Sequence, residues 1–133
     1  MSRVFVDTSA VLALVNQLDD AHGSAKQAFA KLTAREDTPV TTSYVLVEIY
    51  ALLGRRFGLE AVRGFRDDFA PLLDVVWVGS ELHERGVDEL LKRAKRKFTL
   101  VDVTSFLTAR QEGIHTVFAY DGDFEEEGFE LLQ

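Results

Sequence analysis

The sequence predicts an α/β fold: a single-domain, three-layer α/β/α sandwich with a central, mainly parallel sheet of four or five strands. Two observations predict it. Short apolar segments alternate with longer segments of helical periodicity along all 133 residues. No linker, repeat or low-complexity tract interrupts residues 1–133, and such alternation is typical of a parallel sheet with helices on both faces.

Predicted strands and helices follow one another from the start of the chain. The strands are residues 3–7, 39–42, 73–78, 115–120 and 129–132. The helices are residues 8–17, 20–36, an apolar run that ends at Gly58, 59–70, 80–97 and 102–113. Ser80, with Glu81 and Glu84, is typical of a capping box. Gly113 is typical of a helix end. Trp77 and the ten phenylalanines are predicted to lie in the core.

The composition excludes several classes of protein. With no cysteine, the chain has neither a disulfide framework nor a thiolate metal site. No apolar stretch approaches the roughly 20 residues of a membrane-spanning helix. The N-terminus shows no signal-peptide pattern, so we expect a cytoplasmic protein. A net charge of −7 argues against a protein that coats nucleic acid. Two basic clusters still permit a nucleic-acid substrate: residues 92–97, and Arg55, Arg56, Arg63 and Arg66.

Four acidic residues stand out from the apolar segments around them. Asp7, Asp102 and Asp121 each follow a short apolar segment. Asp7 and Asp121 end predicted strands, and the carboxyl ends of parallel strands meet at one edge of a sheet. Glu48 lies in a helical run whose other residues are apolar or aromatic. Because burying a lone carboxylate is costly, Glu48 needs a cation, a metal ion or a water-filled cleft. Together the four predict a site for divalent metal.

Each acid also has a structural interpretation. Asp7 and Asp102 are good N-caps for the helices that they precede. Asp121 lies in an Asp-Gly-Asp sequence that is typical of a turn, and an exposed turn position is favoured for Asp123. Taken singly, the aspartates favour these structural roles. For Glu48 the alternative is a salt bridge within its own helix, and the candidate partners are Arg55 and Arg56.

With these acids placed, the chain resembles the PIN-domain family, and within it the toxin ribonucleases of VapB–VapC toxin–antitoxin pairs. The matching segments, in order, are residues 4–9, 41–48, 51–56, 98–106 and 118–124. They cover essentially the whole chain. The resemblance implies an α/β/α metal-dependent ribonuclease, a small antitoxin partner and a homodimer. Its acidic positions are Asp7, Glu48, Asp102 and Asp121. Thr99 stands where the family often has Ser, and it keeps the hydroxyl.

The predicted reaction is hydrolysis of an RNA phosphodiester with Mg²⁺ or Mn²⁺. Two such ions, about 4 Å apart, can bind a hydroxide and stabilise the leaving oxygen. Hard cations prefer oxygen ligands. We expect Asp7 and Asp102 to bind the ions directly. Glu48 and Asp121 complete the coordination, directly or through water, and Thr8 orients the attacking water. Repulsion among the clustered carboxylates is expected to raise at least one pKa.

Basic residues near the acids are predicted to contact the RNA backbone. With one hydroxyl residue, the set is Arg55, Arg56, Lys95, Arg96, Lys97 and Thr99. Ser9 is interpreted as a local cap. The three histidines share no spacing or motif, so no role is predicted for His22, His83 or His115.

Other classes of function stay open. One is a catalytically silent PIN-like binding module, in which the acids only hold a partner. Another is an RNA-processing nuclease that is not a toxin. An aspartyl-nucleophile phosphatase is disfavoured, because that chemistry needs Asp-x-Asp after the first strand and this chain has Asp7-Thr8-Ser9. The sequence does not predict which RNA is cut.

Overall fold

A five-stranded sheet forms the centre of the protein, in a computed structural model that describes residues 2–132. The strands are β1 (Arg3–Val6), β2 (Thr38–Thr42), β3 (Asp74–Val76), β4 (Thr116–Phe118) and β5 (Glu130–Leu131). They lie in the order β3-β2-β1-β4-β5, and every neighbouring pair is parallel. The predicted fold class is confirmed, with the larger of the two strand numbers.

Helices connect the strands. They are α1 (Thr8–Val15), α2 (His22–Ala34), α3 (Ser43–Phe57), α4 (Leu59–Gly64), α5 (Ser80–Arg93), α6 (Leu100–Gln111) and α7 (Asp123–Glu126). A π-helical turn (Phe65–Phe69) and a 3-10 turn (Ala70–Leu72) continue the chain after α4. Helix α1 packs against both α2 and α3, and α5 packs along α6.

The central strand shows that both faces of the sheet are covered. Val4, Phe5 and Val6 of β1 are all buried. Successive side chains of a strand point to opposite faces, so a strand buried at every position is packed on both sides. The ends of the strands are therefore where polar side chains can reach solvent, and the carboxyl ends form one of these two edges.

The predicted last residue of α5 and its predicted capping box were wrong, whereas its predicted start at Ser80 was right. Helix α5 stops at Arg93 because Ala94 adopts a left-handed conformation, with φ of 55°. The capping box predicted at Ser80 is absent from the described chain. The N-cap of α5 is Gly79, which makes no side-chain cap bond, while the Ser43 hydroxyl accepts a hydrogen bond from the Val78 amide. Gly113, with φ of 69°, does follow the end of α6.

The core prediction was wrong for two aromatic residues. Trp77 is 75% exposed, because it follows β3, the edge strand, and so lies beyond the last row of strand pairing. Phe57, at the last position of α3, is also exposed. The helix predicted over 59–70 is broken at Gly64 by the π-helical turn, which brings Phe65 and Phe69 into stacked contact. Helix α7 was not predicted.

Across residues 2–132, no helix has the length and apolar character needed to cross a membrane.

Candidate active site

Three of the four predicted acids converge at the carboxyl edge of the sheet. Asp7 follows β1 directly, and its backbone amide donates to the Phe118 carbonyl at the end of β4 (3.0 Å). Asp121 lies three residues beyond that strand end. Asp102 is in the first turn of α6, close enough for its charge to raise the pKa of both Asp7 and Asp121.

Asp7 is the deepest of these carboxylates, with only 4% of the residue exposed. Burial raises its pKa to about 7, because the ionised form is poorly solvated there. Hydrogen bonds from Ser9 oppose this shift, and the charges of Asp121 and Asp102 add to it. The bonds to Oδ2 come from the Ser9 amide (3.2 Å) and the Ser9 hydroxyl (2.7 Å). Asp7 is therefore both the N-cap of α1 and a member of the acidic cluster.

Asp121 is half-buried and pairs with Asp7. Burial raises its pKa, the Asp123 amide (3.1 Å) lowers it, and the negative charges of Asp123 and Asp102 raise it. The Asp7 and Asp121 carboxyl groups lie within hydrogen-bonding reach of each other. The expected rise in pKa is confirmed for both residues, but burial is a larger cause than repulsion.

Asp102 belongs to a capping box with Thr99. The Thr99 hydroxyl accepts from the Asp102 amide (3.1 Å), and the Asp102 carboxylate accepts from the Thr99 amide (2.9 Å). Thr99 is thus the N-cap of α6, and the interpretation of Asp102 as the cap was wrong by three positions. The box fixes the Asp102 side chain at the start of the helix, facing the end of the helix dipole that stabilises a negative charge.

Glu48 lies in the second turn of α3, the helix that follows the carboxyl end of β2. It is half-buried, so the prediction of a lone carboxylate among apolar neighbours holds only in part. Among residues 2–132 no side chain forms a hydrogen bond or ion pair with its carboxylate. The alternative of a salt bridge to Arg55 or Arg56 is therefore wrong.

The donor set fits a hard divalent cation, although residues 2–132 do not form a complete metal site. The ion pairs of the described chain leave Asp7, Asp102 and Asp121 without a cation. No three acidic or histidine side chains within residues 2–132 are arranged as a complete metal site. Mg²⁺ commonly uses one or two carboxylates and keeps several waters, so the Asp7–Asp121 pair is a sufficient start.

The two hydroxyl residues after Asp7 have different surroundings. Thr8 is buried, and its hydroxyl oxygen has no hydrogen-bond partner among residues 2–132. In this rotamer the oxygen does not reach solvent, so the predicted contact with an attacking water requires a rotation about χ1. Ser9 does more than cap α1, because its hydroxyl also accepts from the Tyr120 amide (2.9 Å). It thereby joins Asp7 to the segment that carries Asp121.

The five cations predicted to contact RNA have three kinds of surroundings. Arg56 lines a cavity of about 430 Å³ at the acidic edge, whose polar lining residues are Ser9, Asp19, Asp20, Arg56, Tyr120 and Asp121. Lys97 instead forms ion pairs with Glu126 (2.7 Å) and Asp123 (3.7 Å), so its positive charge is already compensated. The other three cations are exposed, and no ion pair of the described chain includes them: Arg55, Lys95 and Arg96.

Sequence reasoning missed one pair that involves the helix of Glu48. The Tyr44 hydroxyl hydrogen-bonds Nδ1 of His83, and the two rings meet edge to face with centroids 6.0 Å apart. Tyr44 precedes Glu48 by one helical turn, so these two residues share one face of α3, while His83 lies in α5. Only the position of Tyr44 could have been found from helical spacing, because His83 comes from a different helix.

Comparison with known proteins decides the family. The model of the PIN domain matches residues 4–130, which is nearly the whole chain. The chain belongs to the PIN-domain family. Two curated relatives with the same description, "23S rRNA-specific endonuclease VapC20", come from the CDC 1551/Oshkosh and H37Rv strains of Mycobacterium tuberculosis. Each is 36% identical to this PIN domain over 127 residues, covering 95% of both chains.

Solved structures agree with this assignment. The crystal structure of Mycobacterium tuberculosis VapC20, described as a sarcin–ricin loop cleaving toxin, superposes with a TM-score of 0.80 at 36% identity over 95% of each chain. VapBC2 of Rickettsia felis shares the fold alone, with a TM-score of 0.70 at 17% identity over 98% of this chain and 97% of that one. The predicted resemblance to VapC-type PIN domains is confirmed.

Proposed function

We propose that this PIN domain is a metal-dependent endoribonuclease, and that it is the toxin of a toxin–antitoxin pair. One observation carries the proposal: the buried Asp7 carboxylate lies against Asp121 and near Asp102, and no cation of residues 2–132 compensates it. Endonuclease activity is the described activity of relatives that are 36% identical over nearly the full chain.

The acidic edge is suited to hold Mg²⁺ or Mn²⁺. Asp7, Asp121 and Asp102 provide the oxygen ligands, and Glu48 reaches the same edge from α3. A bound divalent ion supplies Lewis-acid chemistry: it lowers the pKa of a water and offsets the charge that develops on the phosphoryl group. Two hydrogen bonds from Ser9 hold the Asp7 carboxylate in position, and its burial limits its contact with water.

Other side chains are placed to bind the substrate. Arg56 shares a cavity with Asp121, so its guanidinium can bind a phosphate beside the scissile bond. Arg55, Lys95 and Arg96 are exposed and can add weaker backbone contacts. Lys97 is a poorer candidate because its ammonium group is already paired with acids of α7.

We further propose a substrate and partners. The relatives that are described as specific for 23S rRNA, one of them as cleaving the sarcin–ricin loop, support this loop as the substrate. The similarity to VapC toxins supports a small antitoxin as the partner and a homodimer as the assembly. The proposed ribosomal substrate supports the cytoplasm, where ribosomes lie, as the location. The silent binding module is disfavoured because all four acidic positions are filled.

Cleavage of total RNA tests the proposal. Purified, partner-free protein is incubated with RNA and Mg²⁺ or Mn²⁺, and parallel reactions contain EDTA. We expect discrete fragments with either metal, none with EDTA, and one major 5′ end within the sarcin–ricin loop on primer extension. Cuts at other RNAs would keep the nuclease and overturn the substrate. Folded protein that cuts nothing in either metal would contradict the enzyme.

A further inference from the structure

We propose that the cleft between α2 and the carboxyl end of β4 is a nucleotide subsite, which holds an RNA residue next to the scissile phosphate and has Tyr120 as its stacking platform. This inference rests on the proposed ribonuclease function. It assigns a role to Tyr120, Gln27 and Lys31, none of which lies in the acidic cluster.

The cleft has the size and lining of a site for one nucleotide. Its volume is about 470 Å³, within the range of small-molecule sites. Its lining comprises Ser24, Gln27, Ala28, Lys31, Ala119, Tyr120, Leu131 and Leu132. Apolar side chains thus form part of the wall, and an amide, two hydroxyls and one ammonium group provide hydrogen bonds. A nucleotide has the same combination of an apolar ring face, polar ring edges and an anionic phosphate.

Helix α2 presents the polar side of the cleft. Ser24, Gln27 and Lys31 follow at spacings of three and four residues, so they share one face of the helix. All three are exposed. Lys31 is the one cation in the cleft lining, and no ion pair within residues 2–132 uses its charge. Its position suits a phosphate, while Gln27 can donate to and accept from a base edge.

Tyr120 is held in place from several directions. Its amide donates to the Ser9 hydroxyl, and its own hydroxyl is 3.1 Å from the Ser24 hydroxyl. Its ring meets Phe118 at 69°, with centroids 6.0 Å apart. Yet 39% of the residue remains exposed. A fixed and partly exposed ring gives a base a stacking surface at little entropic cost.

Tyr120 also connects the cleft with the acidic edge. It lines both the 470 Å³ cleft and the 430 Å³ cavity that contains Asp121 and Arg56. It follows β4 by two residues and precedes Asp121 directly. An RNA strand whose phosphate lies beside Asp121 can therefore place the adjoining nucleotide on the far side of the Tyr120 ring. The subsite would add affinity and local base preference to the cut.

Binding measurements on a non-cutting protein test the subsite. The probe is a fluorescein-labelled RNA hairpin with the sarcin–ricin loop sequence, titrated in Mg²⁺ with Asp7→Asn protein at several salt concentrations. Each subsite substitution is added to this background. Tyr120→Leu is expected to weaken binding about tenfold, whereas Tyr120→Phe, which keeps the ring, stays within about twofold.

For Lys31, the salt dependence of RNA binding is a measurement that a purely structural role would not change. Lys31→Gln is expected to reduce the slope of log affinity against log salt by about 0.7, the value for one phosphate contact on a single strand. Lys26→Gln makes the same charge change on the same helix, outside the cleft lining, and is expected to leave the slope unchanged.

The outcomes separate the two proposals. If the unmutated protein cuts the hairpin while Tyr120→Leu and Lys31→Gln bind it like their background, the subsite is wrong and the nuclease stands. Equal loss in Lys31→Gln and Lys26→Gln would likewise overturn it, since overall charge would then explain the effect. If the unmutated protein cuts no RNA, the proposed function fails and the subsite fails with it.

Discussion

The ionisation of Asp7 sets the behaviour of the site at the scale of single residues. Its pKa is raised from 3.8 to about 7, mainly by burial, so the folded protein keeps a proton that the unfolded chain releases. Considered alone, the raised pKa of Asp7 favours the metal-free fold most below pH 4, and this contribution is lost as the pH rises through 7. A bound cation reverses the preference, because it needs the ionised carboxylate.

The first prediction concerns this buried charge. In EDTA at pH 8, Asp7→Asn is expected to raise the free energy of unfolding by roughly 1–3 kcal/mol, since the amide cannot ionise. The gain should vanish below pH 4. Thermal melts across this range measure it. Asp88→Asn, at an exposed position, is expected to shift stability by less than about 0.5 kcal/mol at any pH. Equal curves for all three proteins would contradict the assigned pKa.

At the scale of elements, a close approach of two helices positions Asp102. A Cβ built at Gly86 of α5 would lie 2.6 Å from the Thr104 hydroxyl oxygen and 3.2 Å from Cδ1 of Leu100, both in α6. The Thr104 hydroxyl oxygen is buried without a hydrogen-bond partner among residues 2–132. Because glycine has no Cβ, Gly86 lets α5 lie this near to α6. The start of α6 in turn carries Asp102.

The second prediction follows from that approach. Gly86→Ala is expected to destabilise the fold by about 1–3 kcal/mol, and combining it with Thr104→Ala should recover part of the loss. Gly64→Ala is the matched control: this glycine has helical dihedrals and open space around it, so alanine is expected to be neutral or stabilising by about 0.5–1 kcal/mol. Urea titrations measure all four proteins. A harmless Gly86→Ala would show that the two helices are not in close contact.

The third prediction concerns the connection between α5 and the turn before β5. Arg93 donates two bonds of 2.7 Å to the Glu127 carboxylate, and this pairing, together with a bond from Arg110, lowers the pKa of Glu127 to about 2. The stabilisation is present above pH 4.5 and is lost as the pH falls through 2. Glu127→Gln is expected to cost roughly 2 kcal/mol at pH 7, between the values for exposed and buried pairs.

The same melts include a control for an ordinary surface pair. Glu60→Gln removes the exposed partner of Arg63 and is expected to cost less than about 0.5 kcal/mol. For Glu127→Gln, the difference from the unmutated protein should shrink as the pH falls from 4.5 to 2. A difference that stays constant over this range would mean that the Glu127 charge is not what stabilises the turn.

At the scale of the whole molecule, the sequence was sufficient to predict the fold and the edge of the sheet at which the acids lie. Alternating apolar and helical segments predicted a parallel sheet, and Asp7 and Asp121 follow strands whose ends must meet. Contacts between segments that are far apart in the sequence were not predictable. Trp77 was placed in the core because a sequence does not show which strand lies at the edge, and the Ser9–Tyr120 bond joins residues 111 positions apart.

The site was predicted more completely in its residue types than in its geometry. Spacing indicated carboxylates at one edge, but it did not show that burial, more than repulsion, raises the pKa of Asp7. Nor did it show that Asp7 and Asp121 pair, or that Lys97 forms ion pairs with acids of α7. The roles of the acidic residues in metal binding and catalysis stay predictions. A single kinetic comparison tests them.

That comparison is the rate of cleavage of total RNA as Mn²⁺ is increased, for the unmutated protein, Asp7→Asn and Asp88→Asn. A metal centre built on the acidic edge predicts a rate that rises and saturates with Mn²⁺ for the unmutated protein and for Asp88→Asn. Asp7→Asn should be slower by at least about a hundredfold at every concentration. Cleavage that persists in EDTA, or an Asp7→Asn rate equal to that of Asp88→Asn, would contradict the acidic edge as the metal-dependent centre.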